Sequence, residues 1–206
     1  MTSLVAFLET GRLGPLAPGM ALNEVAKILG PPMWWEVAGS QDGDAPFPHY
    51  WYYRDHLEVS ISFEGPPHCE WFQIESASSL SGQAAKVTND IVMSLDGLTG
   101  KSRVSAFVSA IADIDRVRVK LIDDAGYPSP SIVIDDVEIS FYCDDEGFRS
   151  DMSADDLVNF VESGAGLDSI YSFNRDHYRL KRLAHYLEGE KHRFVSGREY
   201  LGACHS

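Results

Sequence analysis

Hydrophobic positions in the first 30 residues repeat with the spacing of two short helices. The first pattern begins at Leu4 and ends at Gly11. The second covers residues 22–29, where apolar side chains fall at i, i+3, i+4 and i+7. Gly30 follows as a residue that accepts positive φ, and the two prolines after it prevent the helix from continuing. The sequence therefore predicts a helical hairpin.

After Pro32 the apolar period changes from 3.6 to 2, which is typical of strands. The clearest example runs from Leu57 to Phe63, where large apolar residues alternate with Glu and Ser. A neighbouring segment is almost entirely aromatic, and aromatic side chains pack well on a pleated surface. The first half is thus predicted to continue with four strands, at 33–37, 49–54, 57–63 and 69–76.

The second half shows the same mixture of periods. Residues 77–87 are small and polar, and we interpret them as a linker. Helices are predicted at 103–114 and 154–161, the second capped by Ser153. Strands are predicted at 90–95, 117–121, 131–134, 137–143 and 167–173, and a last helix at 176–193.

The two halves resemble each other in sequence. Residues 54–63 (RDHLEVSISF) echo residues 134–142 (IDDVEISFY). The predicted fold class is therefore α+β, with two tandem pseudo-repeats of helices plus an antiparallel four-stranded meander. The halves, 1–78 and 88–175, pack together, and 176–206 forms a C-terminal helix and tail. Two unrelated meanders would give similar echoes, and that alternative stays open.

The charge of the chain is strongly acidic and unevenly placed. Its 206 residues have a formal net charge of −14. Residues 1–174 contain ten basic and 27 acidic side chains, a net charge of −17. Such a field opposes binding to nucleic acid or an anionic membrane and attracts a basic protein. Solubility alone is the competing explanation.

The composition predicts a folded cytoplasmic protein. Hydrophobic residues make up 44% of the chain, and no window approaches the ~20 apolar residues of a membrane helix. The N-terminal residues lack the basic region of a secretory signal. Cys69, Cys143 and Cys204 are odd in number and share no metal-like spacing, so buried thiols in a reducing compartment are expected.

Motifs for catalysis, cofactors and metals are not found in the sequence. The seven histidines are scattered, and neither G-x-S-x-G nor a glycine-rich phosphate loop occurs. His68 and Cys69 are neighbours in a strand and therefore point to opposite faces. The carboxylates of residues 144–156 do not follow the ligand spacing of a calcium loop. We expect no catalytic residue, no cofactor and no metal site.

Two features suit a protein partner instead. The aromatic residues at 50–53 point alternately to the two faces of the sheet. One pair of them is therefore exposed unless another element covers the second face. Tyr and Trp are also frequent among interface hot spots. The acidic turn, defined here as residues 144–156, offers charge to a basic partner. The candidate partner-binding residues are Trp35, Tyr50, Tyr52, Asp144, Asp145, Glu146, Asp151 and Asp155.

The first helical hairpin also carries a resemblance. Residues 14–32 (GPLAPGMALNEVAKILGPP) and 53–63 (YRDHLEVSISF) resemble motifs of bacterial immunity-like proteins of polymorphic toxin systems. The helix motif is similar to that of the lipoprotein BamE and of the beta-lactamase inhibitor protein. The resemblance covers about a third of the chain and implies a tandem helix-hairpin and four-stranded sheet. Ala21 stands where those families usually have Ser or Thr, and their lipoprotein and secretory signals do not occur here.

These observations favour a non-enzymatic binding protein. The hypothesis is an immunity protein that neutralises a basic bacterial toxin by direct binding. The alternative is a small-ligand-binding or enzymatic domain with a pocket between the two halves. The protein is expected to be a monomer or a homodimer that buries its aromatic face.

Overall fold

A computed structural model describes residues 1–37, 49–53, 56–123, 126–174 and 193–205. The α-helices of this part are α1 Leu4–Thr10, α2 Leu22–Leu29, α3 Val104–Ala110, α4 Ala154–Gly164 and α5 Gly197–Cys204. The strands are β1 Thr2–Ser3, β2 Trp34–Val37, β3 His49–Tyr53, β4 Leu57–Ser62, β5 His68–Ile74, β6 Ala84–Lys86, β7 Val92–Ser94, β8 Val117–Ile122, β9 Pro128–Ile134, β10 Val137–Tyr142, β11 Gly166–Phe173 and β12 Arg193–Ser196. Short 3-10 helices lie at Ala77–Ser79 and Ile114–Arg116.

Nine of the strands form one antiparallel sheet. Its order is β12-β8-β9-β10-β11-β5-β4-β3-β2, so β5 and β11 bring the two halves of the chain together at its centre. In that pair Ile74 lies opposite Ile170 and Trp71 lies opposite Phe173. A second sheet has the order β1-β7-β6, and its β1–β7 pair is parallel.

The predicted architecture of two tandem repeats with four-stranded meanders is wrong. The strands of both halves share one nine-stranded sheet. In chain order α4 comes between β10 and β11, which are neighbours in that sheet. Residues 77–87, interpreted as a linker, contain a 3-10 helix and β6. The alternation of apolar and polar residues predicts which face of a strand is buried, but not which strand lies beside it. The predicted helix at 176–193 lies almost wholly outside the described residues, and Arg193 itself begins β12.

The helices pack on one face of the large sheet. Phe7 of α1 stacks on Phe72 of β5 with ring centroids 5.7 Å apart, and both side chains are fully buried. Ser172 of β11 donates a hydrogen bond of 2.8 Å from Oγ to the carbonyl oxygen of Gly11, the left-handed residue that ends α1. Buried Tyr200 of α5 donates to Glu162 of α4 at 3.0 Å. The core therefore spans both halves.

The end of α2 fixes the position of the aromatic strand β3. Gly30 has φ +70°, as the sequence predicts, and its carbonyl oxygen accepts a hydrogen bond of 3.0 Å from the Tyr53 hydroxyl. Ala21 supplies no side-chain cap, but its backbone N–H donates to Glu24 Oε2 at 3.3 Å. Glu24 thus provides half of the missing capping interaction.

We predict that Phe72→Ala lowers the free energy of unfolding of the whole chain. The large side chain lies in the shared core, and Phe-to-Ala changes at such sites cost about 3–5 kcal/mol. All four tryptophans lie in the first half, whereas far-UV circular dichroism reports both halves. Denaturant unfolding should therefore give coincident fluorescence and dichroism transitions that shift together. Tyr127→Ala, at a 60% exposed side chain, is the control. Separate transitions would contradict a common core.

Candidate functional site

The face of the large sheet opposite the helices carries an unusual set of side chains. Strand alternation sends Leu57, Val59 and Ile61 of β4 toward the helices and the intervening Glu and Ser residues the other way. We define the aromatic face as the outward side chains of β2–β5 and β11. Its members are Trp34, Glu36, Tyr50, Tyr52, Glu58, Ser60, Trp71, Gln73, Tyr171 and Phe173.

These side chains form two rows across the strands. The register of the sheet sets the first row as Trp34, Tyr52, Glu58, Gln73 and Tyr171. The second row is Glu36, Tyr50, Ser60, Trp71 and Phe173. In the first row Glu58 and Gln73 lie between aromatic residues, and in the second row Ser60 lies between Tyr50 and Trp71.

Aromatic rings in these rows contact one another. Trp34 and Tyr52 stack with their centroids 3.8 Å apart and their planes within 5°. Trp71 lies 5.8 Å from Tyr50 and 6.0 Å from Tyr171, measured between centroids. Offset and edge-on contacts of this kind favour fixed ring positions. The aromatic face is therefore a preformed surface.

Three carboxylates are held by the polar part of the face. The Tyr52 hydroxyl donates to Glu36 Oε1 at 2.8 Å. The Gln73 side-chain amide donates to Glu58 Oε2 and, at 3.0 Å, to Glu75 Oε1. Glu58 and Glu75 therefore converge on one amide nitrogen, and their negative charges lie close together.

Burial raises the pKa of Glu58 to about 7. The Gln73 hydrogen bond opposes this shift, and the neighbouring Glu75 carboxylate adds to it. Burial also raises the pKa of Tyr50, with contributions from Glu58, Glu70 and Glu36. The pKa of Tyr52 is raised by burial and by its hydrogen bond to Glu36. Each shift reflects first the loss of solvent and then the neighbouring carboxylates, and both disfavour a further negative charge.

Two buried acceptors on this face have no hydrogen-bond partner in the described structure. They are Ser60 Oγ and Gln73 Oε1, on side chains that are 0% and 7% exposed. Unpaired buried polar atoms are uncommon in folded proteins and call for a physical reason. Both atoms lie on the strands that carry the carboxylates.

Lys and Arg side chains do not occur on the described residues of strands β2–β5. The described residues between 34 and 76 include Glu36, Glu58, Glu64, Glu70 and Glu75 but neither Lys nor Arg. At the other end of the same sheet, β8 carries Arg118 and Lys120. Within the large sheet, the described strands β2–β5 therefore carry acidic side chains without Lys or Arg.

The structure brings only part of the predicted partner-binding set together. Tyr50 and Tyr52 lie on the aromatic face, two residues apart on β3. Trp35 pairs with Trp51 and points to the opposite side of the sheet, although it is 58% exposed at the sheet edge. Its neighbour Trp34, which is 52% exposed, takes the place on the aromatic face.

The acidic turn lies away from this face. It follows β10, which is four strand spacings from β3, or about 19 Å. Within it the Glu146 N–H donates to Asp144 Oδ1 at 3.1 Å, and Asp151 lies 3.6 Å from Arg149. Asp155 is in the first turn of α4, where negative charge favours the helix. Asp145 accepts a backbone hydrogen bond from Phe148 at 3.0 Å.

Groups that could support catalysis or hold a metal are separated in the described residues. Cys69 is fully buried, and burial raises the pKa of its thiol to about 12. His68 Nδ1 lies 3.0 Å from the Pro66 carbonyl oxygen. A search of the described His, Cys, Asp and Glu side chains finds no group of three placed to bind a metal ion.

The junction between the halves is formed by backbone pairing of β5 with β11. A polar depression lies elsewhere, beside the β9–β10 turn. Its lining includes Glu9, Gly11, Arg116, Asp135 and Asp136. Arg116 forms an ion pair with Asp135 and donates to the Glu9 carbonyl oxygen at 3.3 Å, so its guanidinium holds this turn against α1.

Sequence reasoning missed Glu58, Gln73 and Tyr171 as members of the site. The alternation in β4 indicates that Glu58 points away from the core, and this signal was available. The placement of Tyr171 beside Gln73 depends on the β5–β11 pairing, for which the sequence carries no local signal.

Comparisons with family models, curated proteins and solved structures found no match. Among the described residues, no helix is both long enough and apolar enough to cross a membrane. The resemblance to immunity-like proteins therefore stays a prediction.

We predict that Glu58→Gln changes the pH dependence of stability. The folded state keeps the Glu58 proton up to about pH 7, whereas the unfolded chain releases it near the ordinary pKa of 4.5. Stability contributed by Glu58 is therefore lost as pH rises through this interval. The variant cannot ionise there, so its free energy of unfolding relative to wild type should rise by about 1–2 kcal/mol between pH 4.5 and 8, allowing for solvent screening.

Urea unfolding at several pH values measures this difference. Glu64→Gln removes the same charge from an exposed turn and serves as the control. If the free energy of unfolding of Glu58→Gln changes with pH in parallel with that of wild type, the folded structure does not raise the pKa of Glu58.

Proposed function

We propose that the chain is a non-enzymatic binding protein that neutralises a basic toxin domain by direct contact, as an immunity protein does. The aromatic face is the proposed contact surface. The observation that carries the proposal is the combination of partly exposed aromatic rings with converging carboxylates and no Lys or Arg in the described part of β2–β5.

Physical properties of the face support a protein partner. Tyr and Trp contribute large contact areas at small entropic cost and are common in interface hot spots. The stacked Trp34–Tyr52 pair is fixed before binding, which lowers the cost of association. Carboxylates steer a positively charged partner toward the surface and disfavour an acidic one.

The acidic turn contributes less to the proposed contact with the toxin than the aromatic face does. Its carboxylates serve hydrogen bonds of the turn and the charge balance of α4, and it lies several strands from Tyr50 and Tyr52. We therefore assign the main contact to the aromatic face. A cytoplasmic location, the monomeric or homodimeric state and the absence of nucleic-acid binding stay predictions.

The test starts from gene neighbourhood, since immunity genes lie beside the genes of their toxins. The toxin encoded immediately upstream should be captured by the purified protein, and co-expression should restore growth. Trp34→Ala should weaken capture by at least about 30-fold, as expected for loss of a hot-spot aromatic residue.

Tyr127→Ala is the matched control because it removes an exposed aromatic side chain outside the aromatic face. It should bind and protect like wild type. A folded wild-type protein that neither binds the toxin nor protects the cell would refute the proposal.

A further inference from the structure

We propose that Glu58 and Glu75 form the base of a pocket for a single arginine side chain, with Tyr52 and Tyr171 as its walls. The ligand of this pocket would be an arginine side chain on the surface of a basic protein. The biological use of the pocket rests on the proposed function above, but the pocket itself can be tested without a partner.

The cross-strand register defines the pocket. Tyr52, Glu58, Gln73 and Tyr171 lie opposite one another on four adjacent strands. Three strand spacings separate the two tyrosines, or about 14 Å between backbones. Glu58 and Gln73 occupy the space between the two rings, and Glu75 follows at the end of β5. The polar groups are thus bounded on both sides by aromatic side chains.

The charges in this space are not balanced by the described residues. Gln73 Nε2 donates to Glu58 Oε2 and to Glu75 Oε1. Glu58 also has hydrogen-bonding interactions with the Tyr52 hydroxyl and with Glu75, and neither of these groups is a cation. Two carboxylates close to one another gain most from a cation that can bond to both. The described residues from 34 to 76 supply neither Lys nor Arg for this role.

Buried acceptors provide an independent indication of a ligand. Gln73 is 7% exposed and Ser60 is 0% exposed, and Gln73 Oε1 and Ser60 Oγ lack hydrogen-bond partners in the described structure. Gln73 belongs to the pocket itself, and Ser60 is two residues from Glu58 on the same face of β4. The site therefore holds one unpaired amide acceptor and, next to it, one unpaired hydroxyl that can donate or accept.

A guanidinium group matches these properties better than an ammonium group or a metal ion. It has five N–H donors in one plane and binds carboxylates in pairs. Its flat face also stacks on aromatic rings such as those of Tyr52 and Tyr171. The described acidic side chains contain no three-residue group arranged for a metal ion.

Proton binding should compete with the arginine. Because the Glu58 pKa is raised to about 7, mild acid neutralises one of the two carboxylates. The titratable groups that interact with Glu58 are Tyr52 on β3, Glu75 after β5 and Tyr171 on β11, and Glu36 and Asp168 act in turn on the two tyrosines. None of them is a cation, so protonation should weaken arginine binding.

The experiment uses N-acetylarginine amide as the probe with the full chain. Titration followed by heteronuclear NMR should shift the Gln73 side-chain amide and the Trp71 indole N–H. Glu58→Gln should weaken binding by about tenfold or more, and lowering the pH from about 8 to 5.5 should do the same. N-acetyllysine amide should bind more weakly than the arginine probe.

Glu64→Gln controls for net charge and should bind the probe like wild type. The amide spectrum of each variant reports whether it remains folded. Absence of shifts up to high-millimolar probe, retention of binding in folded Glu58→Gln, or equal binding of the lysine probe would overturn the pocket. Toxin neutralisation without probe binding refutes the pocket alone, whereas probe binding without neutralisation refutes the proposed function alone.

Discussion

The pairing of β5 with β11 is the contact on which the rest of the structure depends. It joins two segments almost 100 residues apart in the chain and places Ile74 opposite Ile170 at the centre of the sheet. Phe72 on one side of this junction packs under α1, and Gln73 on the other side lies beside Tyr171. The same backbone hydrogen bonds therefore hold the core together and assemble the aromatic face.

In a sheet with helices on one face, the polar side chains of the other face need either water or hydrogen-bond partners. Here Glu58, Ser60 and Gln73 are buried among larger rings instead of being surrounded by water. Burial of polar groups costs free energy unless partners are supplied. Gln73 supplies one donor group for two carboxylates, and the raised pKa of Glu58 shows that the pair favours binding a proton.

Local elements were largely predictable from the sequence because periodicity and caps act over short distances. The helix before Gly30 and the alternation of β4 are examples, whereas α5 was missed although Ser196 and Glu199 form a capping box. Long-range register was not predictable. Trp35 was grouped with Tyr50 and Tyr52, but β2 pairs so that Trp34 lies opposite Tyr52. A one-residue change of register exchanges the two faces of a strand.

The order of strands also arranges charge along the sheet. Within the described strands, β2–β5 carry Glu36, Glu58 and Glu70 as their Asp, Glu, Lys or Arg residues, whereas β8 and β12 carry Arg118, Lys120 and Arg193. These groups lie toward opposite ends of one sheet, so they contribute an electric dipole in the plane of the sheet. An approaching polycation exerts a torque on this dipole as well as an attraction, and the protein is turned so that its acidic end faces the cation before contact.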